Sequence, residues 1–208
     1  MIKEVSIINY PYGNVLSLIR AFEYLKIKVK LIESPKEIEK ASRLIFPGVG
    51  TFQKAINFLK NDNYFEEMKN FFLHDRPYLG ICLGMQVLLD KSQEFGENQG
   101  FGLIEGDVLK LPNINKSKKL IKIPHINWNL IFYNKKLKKE FNLDGKYMYF
   151  VHSYHAIPKE NSNILAYTEY EEIQICALLK KNNIVGCQFH PEKSGKDGLR
   201  FLEDFMCL

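Results

Sequence analysis

The feature that most constrains the fold is the alternation of apolar, strand-like runs with amphipathic segments in the first half of the chain. The strand-like runs cover residues 4–10, 28–34, 42–50 and 76–82. Segments with helical periodicity follow at residues 14–25, 52–60, 64–74 and 83–92. Because strands that alternate with helices pair in parallel, the pattern predicts an α/β fold, with a mostly parallel central sheet between two layers of helices.

The second half of the chain contains mostly strand-like stretches with little helix between them. These stretches are residues 106–112, 119–129, 146–158, 164–170, 175–181 and 184–191. A hairpin is expected around residues 182–183, and residues 197–208 have the pattern of an amphipathic helix. Since no repeat, low-complexity tract or linker separates the halves, we expect a single domain over residues 1–208, with the second half as an antiparallel β extension.

The charge of the chain gives little support for a nucleic-acid partner. The formal net charge is +5, and lysine runs at residues 116–122 and 135–139 contribute to the excess. No recognisable binding module or interleaved aromatic pattern accompanies these lysines. We therefore interpret them as solvated faces.

The cysteines indicate the compartment. The chain has four of them, and none forms a CxxC pair or a His/Cys cluster with zinc spacing. Two disulfides are possible, but the first residues lack signal-peptide organisation and no apolar run is long enough to span a membrane. We expect a reduced, cytoplasmic protein without metal or cofactor, in which Cys176, Cys187 and Cys207 are small core residues.

The remaining cysteine, Cys82, lies in "GICLG", directly between a predicted strand and a predicted helix. Glycines on both sides of a residue at such a junction permit the sharp turn of a nucleophile elbow. The elbow lifts the side chain clear of the sheet, and the helix N-terminus favours a thiolate. The alternative is a buried structural cysteine beside packing glycines.

A cysteine nucleophile needs a base and a group that orients the base. Of the five histidines, His190 ends a predicted strand and is followed two residues later by Glu192. This spacing suits an imidazole that accepts the thiol proton while the carboxylate holds the ring. Ligands of parallel sheets bind at the carboxyl ends of strands, so the glycine turns at residues 47–50 and 80–84 are candidates for one shared site.

The combination of "GICLGMQ" and "QFHPEKS" resembles the class I glutamine amidotransferases. The motifs "PGVGTF", "PHINWN" and "YFVHSY" narrow the resemblance to the glutaminase subunits of imidazole glycerol phosphate synthase, the HisH family. The resemblance spans the chain and implies a flavodoxin-like class I glutamine amidotransferase domain. It implies hydrolysis of L-glutamine to glutamate and ammonia.

The resemblance also assigns roles to individual residues. It implies a catalytic triad of Cys82, His190 and Glu192. The oxyanion hole would involve Gly48, Val49 and the amide of Leu83, which agrees with the direction of the amide that follows an elbow nucleophile. The substrate-binding positions would be Gly50, Gln86, Glu94 and Ser153, with the Glu94 carboxylate a natural partner for the α-ammonium group of glutamine.

A partner subunit is implied as well. In the family, ammonia passes through an internal channel to a HisF-like cyclase with a (β/α)₈ barrel, and the two subunits form a heterodimer. The cyclase makes imidazole glycerol phosphate and an aminoimidazole carboxamide ribonucleotide in histidine biosynthesis. The resemblance places Asn14, Trp128, Tyr149 and Lys193 at the interface. The alternative for Trp128 and Tyr149 is that they are core aromatics.

The chain departs from the family pattern at Asn9, Pro11 and Asn127, in two loops that the resemblance implies would face the partner. They leave open a related function, in which the ammonia amidates a bacterial surface sugar. A catalytically silent subunit and a cysteine peptidase or chaperone-like relative are further alternatives. The intact triad disfavours the silent subunit, and the Gln86 and Glu94 pair favours glutamine over a peptide.

Overall fold

The computed structural model describes residues 4–61, 63–134 and 141–208. The lysine run at residues 135–139 therefore lies outside the described residues. No helix in the described ranges has both the length and the apolar character needed to cross a membrane.

The helices form largely where the periodicity predicts them. They are α1 (Val15–Tyr24), α2 (Phe52–Asn61), α3 (Tyr64–Leu73), α4 (Leu83–Gln86) and α5 (Gly195–Phe205). Short 3₁₀ turns cover Pro35–Lys40, Asn161–Asn163 and Pro191–Lys193.

The strands of the described residues are numbered along the chain. They are β1 (Glu4–Ile8), β2 (Lys28–Ile32), β3 (Leu44–Gly48), β4 (Tyr78–Cys82), β5 (Leu89–Ser92), β6 (Asn98–Gln99), β7 (Ile104–Lys110), β8 (His125–Leu130), β9 (Phe132–Tyr133), β10 (Tyr147–His152), β11 (Tyr154–Pro158), β12 (Ile164–Tyr170), β13 (Ile173–Lys181) and β14 (Ile184–Cys187).

The central sheet has the order β2-β1-β3-β4-β14-β13-β12-β9. The first five strands pair in parallel and the last three join in antiparallel fashion, so the predicted fold class is confirmed. The hairpin expected around residues 182–183 is the connection between β13 and β14. This order places the carboxyl ends of β3, β4 and β14 side by side, where a shared site was expected.

Apolar side chains on the two faces of the sheet form separate cores. Alternate residues of β1 and β3 belong to different clusters: Ile7 and Ile45 pack with α1 and α5, whereas Ile8 and Phe46 pack with α2 and α3. This is the alternation that a strand buried on both faces requires. Two smaller sheets, β10-β8 and β11-β7-β5-β6, lie beside the central sheet, and every pairing in them is antiparallel except that of β5 with β7.

Four sequence expectations need correction. The strand-like run expected over residues 146–158 forms two strands, β10 and β11, because the chain changes sheet at residue 153. The helix expected over residues 83–92 ends at Gln86, and β5 begins at Leu89. The intervening apolar run fits either structure, and pairing of Leu89 with distant Ile104 in β7 selects the strand. The strand expected over residues 119–129 begins only at His125. Cys207 is exposed after α5, although Cys176 and Cys187 are buried as expected.

Two glycines allow the backbone to pass close to itself around Cys82. A Cβ on Gly80 would lie 2.1 Å from the carbonyl oxygen of Gly84, and a Cβ on Gly84 would lie 2.0 Å from the carbonyl oxygen of Phe46. Both contacts are far inside van der Waals distance and involve backbone atoms that cannot move independently. The glycines on either side of the cysteine are therefore required by the packing of the β4–α4 turn against β3.

We expect Gly84→Ala to lower the free energy of unfolding by about 3 kcal/mol, because the added methyl group forces β3 and α4 apart. Gly145→Ala is the control: Gly145 has φ of +71° and no atom within 4 Å of a built Cβ. It should cost only the backbone strain, about 1 kcal/mol. Urea unfolding of both variants measures the difference, and equal losses would contradict the packing argument.

Candidate active site

Cys82 is the last residue of β4 and directly precedes α4. Its φ of 52° and ψ of −104° lie outside the regions that non-glycine residues ordinarily adopt. Such strain is typical of residues held in place for function. The side chain is largely buried, with a residue exposure of 6%. Since α4 is a single turn, its dipole contributes less to the thiol than the longer predicted helix would.

His190 and Glu192 follow the neighbouring parallel strand. Cys187 of β14 pairs in register with Ile81 of β4, which brings the segment after β14 beside the elbow. Nδ1 of His190 donates a hydrogen bond to Oε1 of Glu192 over 2.9 Å. The same oxygen accepts a hydrogen bond from the Asn14 side chain over 3.1 Å. Glu192 is thus held from two sides and fixes the imidazole.

The other ring nitrogen of His190 is available for proton transfer. Nε2 is buried and makes no hydrogen bond among the described residues. Burial lowers the pKa of His190, but the adjacent Cys82 and the hydrogen-bonded carboxylate of Glu192 outweigh it and raise the pKa to about 10. The pKa of Glu192 is lowered, because the contacts from His190 and Asn14 outweigh burial. These shifts favour a protonated His190 beside an ionised Glu192.

A cavity of about 290 Å³ opens at Cys82. Val49, Gly50, Leu83, Gln86, Glu94 and Ser153 line it together with the cysteine, so most residues proposed from the resemblance meet around one space. Gly48 lies behind the cavity: it pairs in register with Cys82, and a Cβ there would lie 2.7 Å from Cβ of Leu83. Sequence reasoning missed the lining residues Pro124, Val151, His152 and Tyr154.

Glu94 and Gln86 are buried, although both could have been exposed surface residues. Oε2 of Glu94 accepts a hydrogen bond of 2.6 Å from the backbone amide of Phe52, at the start of α2. Burial raises the pKa of Glu94, and the Phe52 amide partly offsets this. Nε2 of Gln86 donates to the Tyr154 carbonyl and to Oε1 of Gln188. Both amide hydrogens of Gln86 are therefore used, and only its Oε1 remains as an acceptor for a ligand.

The residues proposed for the partner interface have different environments. Trp128 is 46% exposed, which rules out the core alternative for this residue. Its ring lies edge-on to that of half-buried Tyr149, with centroids 5.9 Å apart. Lys193 is exposed. The Asn14 side chain donates a hydrogen bond to Glu192, so Asn14 belongs to the active site as well as to the proposed interface.

The departures from the family pattern, Asn9, Pro11 and Asn127, are all exposed. Asn127 lies in β8, and its side-chain oxygen accepts a hydrogen bond from the backbone amide of Trp128. None of the three contacts the triad in the hydrogen bonds of the described residues. The departures therefore lie outside the hydrogen bonds that hold the triad.

A strained cysteine elbow beside a His–Glu pair, on a flavodoxin-like sheet, defines a glutamine amidotransferase of class I. The family model "Glutamine amidotransferase class-I" matches residues 6–207, and the chain belongs to that family. Within it the chain belongs to the HisH family. It is 43% identical over 210 residues to imidazole glycerol phosphate synthase subunit HisH 1 of Legionella pneumophila (strain Lens), with 98% of both chains covered.

Other comparisons agree. Subunit HisH of Lactococcus lactis subsp. lactis (strain IL1403) is 42% identical over 205 residues, with 98% of both chains covered. A solved structure of PurLQS from Thermotoga maritima has a TM-score of 0.73 and 17% identity, and covers 100% of this chain and 99% of the other. At that identity the likeness establishes the fold alone.

The buried His155 in β11 should make stability depend on pH. Burial lowers the pKa of His155 to about 4, so the folded state binds its proton less readily than the unfolded state. Stability from this group is complete above about pH 6.5 and is lost as the pH falls towards 4. Relative to His155→Met, the wild type should lose about 3 kcal/mol of unfolding free energy between pH 7 and 4.

Urea unfolding at several pH values measures this difference. His74→Met, on the exposed end of α3, is the surface control and should follow the wild-type curve. Parallel curves for wild type and His155→Met would show that the buried ring does not cause the acid sensitivity.

Proposed function

We propose that this chain is the glutaminase subunit of an imidazole glycerol phosphate synthase, and that it hydrolyses L-glutamine to glutamate and ammonia with Cys82 as nucleophile. The observation that carries the proposal is the buried triad: a strained Cys82 at the elbow, with His190 held by Glu192 in the adjoining strand end. The names of the HisH relatives favour the histidine pathway over amidation of a surface sugar.

In the first half-reaction the thiolate of Cys82 attacks the side-chain carboxamide carbon of glutamine, and a C–S bond forms. The carbonyl oxygen becomes an oxyanion, for which the amide of Leu83 and the turn at Gly48 and Val49 are the proposed donors. His190 gives its Nε2 proton to the departing nitrogen. The C–N bond then breaks, ammonia leaves, and a γ-glutamyl thioester remains.

In the second half-reaction water attacks the thioester while His190 accepts a proton from it. The C–S bond breaks, the thiolate is restored and glutamate leaves. Glu192 keeps Nδ1 of His190 protonated in both steps, so Nε2 is the nitrogen that exchanges protons. The cavity positions support roles for the Glu94 carboxylate and for Oε1 of Gln86 in holding the α-ammonium group, with Gly50 and Ser153 providing backbone contacts.

The ammonia is proposed to pass to a HisF-like barrel subunit that covers the carboxyl edge of the sheet in a heterodimer. Support for an interface there comes from Lys193, which is exposed and directly follows Glu192, and from Tyr149, which contacts the His190 backbone. The exposed ring of Trp128 packs against that of Tyr149. We further propose that residues 1–208 act as one domain in the cytoplasm, where its cysteines stay reduced.

Cys82→Ser should lower glutamine hydrolysis to below about one-thousandth of wild type, because a serine beside His190 is a poor nucleophile without the thiolate. Glu192→Gln should keep at least about tenfold more activity than Cys82→Ser, since Glu192 orients the base and does not itself react. Glutamate release is measured in the complex with the barrel subunit and its acceptor. Cys207→Ser, at an exposed cysteine, is the control and should be fully active. Substantial activity in Cys82→Ser would refute the nucleophile.

Trp128→Ala should weaken binding of the barrel subunit by about thirtyfold and reduce the stimulation of glutaminase activity, because exposed aromatic anchors carry interface energy. Its melting temperature should stay close to wild type, as the ring is half exposed. Leu73→Ala is the control: Leu73 is 82% exposed at the end of α3, towards the amino edge of the sheet. A fall in melting temperature with unchanged affinity would place Trp128 in a structural role.

A further inference from the structure

A polar side chain outside the triad reaches the nucleophilic sulfur. Gln188 lies two residues before His190, is completely buried, and its backbone amide continues the pairing of β14 with β13 by donating to the Ala177 carbonyl. Its Nε2 lies 3.5 Å from Sγ of Cys82, which is hydrogen-bond distance for sulfur. The sulfur therefore has an N–H donor on a side chain that takes no part in the triad.

The orientation of this amide is determined by its surroundings. Oε1 of Gln188 accepts a hydrogen bond of 3.0 Å from Nε2 of Gln86. The other hydrogen of that Gln86 nitrogen goes to the Tyr154 carbonyl, which can only accept. If the Gln188 amide were reversed, two NH₂ groups would face each other and the sulfur would face a carbonyl oxygen. The nitrogen of Gln188 must therefore point at Cys82.

The Tyr154 carbonyl that holds Gln86 is itself held by a second donor. The Tyr154 carbonyl also accepts a hydrogen bond from Nδ1 of His152 over 2.9 Å. Nε2 of His152 lies 3.1 Å from Nδ1 of His125, a fully buried ring in β8. Two donors on one carbonyl fix its position, and through Gln86 they fix Gln188 as well.

We propose that Gln188 is a further catalytic residue, which donates a hydrogen bond to the sulfur of Cys82 and stabilises it as the thiolate, while Gln86 holds the amide in the donating orientation. An N–H donor favours the charged form of its acceptor. The sulfur carries negative charge before it attacks glutamine and again when the C–S bond of the thioester breaks. The same hydrogen bond therefore assists both half-reactions.

The proposal rests on Cys82 being the nucleophile, but it can be tested without glutamine. Iodoacetamide alkylates thiolates, so the alkylation rate of Cys82 reports its charge state directly. Exposed Cys207 reacts in the same sample and serves as an internal standard, and the buried Cys176 and Cys187 are separated by peptide mass spectrometry. If Cys82 were not the nucleophile, glutaminase activity would survive Cys82→Ser whatever the alkylation experiment showed.

Gln188→Met keeps the length of the side chain and removes the donor. At pH 7 we expect Cys82 to be alkylated about tenfold more slowly, with its pH–rate profile moved to higher pH and the rate of Cys207 unchanged. In the complex, kcat should fall about tenfold while KM for glutamine stays the same, because Gln188 does not line the cavity. Gln174→Met, at an exposed glutamine of β13, is the matched control and should behave as wild type.

An unchanged Cys82 profile in folded Gln188→Met would overturn the proposal, as would a shift shared equally by Cys207. Circular dichroism and the melting temperature establish that the variant is folded. Should Gln188→Met fail to fold, Gln188→Leu decides by the same criteria, since it also removes the N–H donor without adding a charge beside the sulfur. Slower Cys82 alkylation in Gln188→Leu supports the donor role, and a wild-type profile excludes it.

Discussion

The register of β4 against its two parallel neighbours is the constraint on which the site depends. Pairing with β3 sets Gly48 opposite Cys82, and pairing with β14 sets Cys187 opposite Ile81. A shift of one residue in either pairing would turn alternate side chains to the other face. Glycines at the β4–α4 turn lock the register, because the backbone of α4 packs directly on the backbone of β3. The catalytic geometry is therefore a consequence of sheet packing.

The same packing buries charge, and the hydrogen bonds around the triad offset the cost. The side chains of His190 and Glu192 are 2% and 3% exposed. Burial alone would drive both groups to their neutral forms, yet the pKa of His190 is raised and that of Glu192 is lowered. Asn14, contributed by the loop before α1, donates to the Glu192 carboxylate and supports its charge. Residues from two distant parts of the chain thus maintain one ionised pair.

The sequence predicted the features that depend on interactions between residues close together in the chain. The glycines around Cys82, the strand–helix alternation and the spacing of His190 and Glu192 are short-range signals, and they gave the elbow and the parallel sheet. The short length of α4 was not predictable from local sequence. The residues that follow it form β5 because they pair with β7, which comes later in the chain. Gln188 was passed over within the quoted motif "QFHPEKS", because its contact with Cys82 arises from strand pairing and leaves no periodic pattern.

The aromatic pair Trp128 and Tyr149 is connected to the triad by backbone hydrogen bonds. Binding of a partner to this pair can therefore affect the position of the catalytic histidine. The carbonyl of Tyr149 accepts a hydrogen bond of 2.9 Å from the backbone amide of His190. The amide of Tyr149 donates to Oγ of Ser194, whose hydroxyl in turn donates to the His190 carbonyl. β10 therefore holds both polar groups of the His190 backbone, one directly and one through Ser194. A protein that packed on Trp128 and Tyr149 would contact β10, the strand that positions His190. A displacement of β10 would alter the distance between His190 and Cys82.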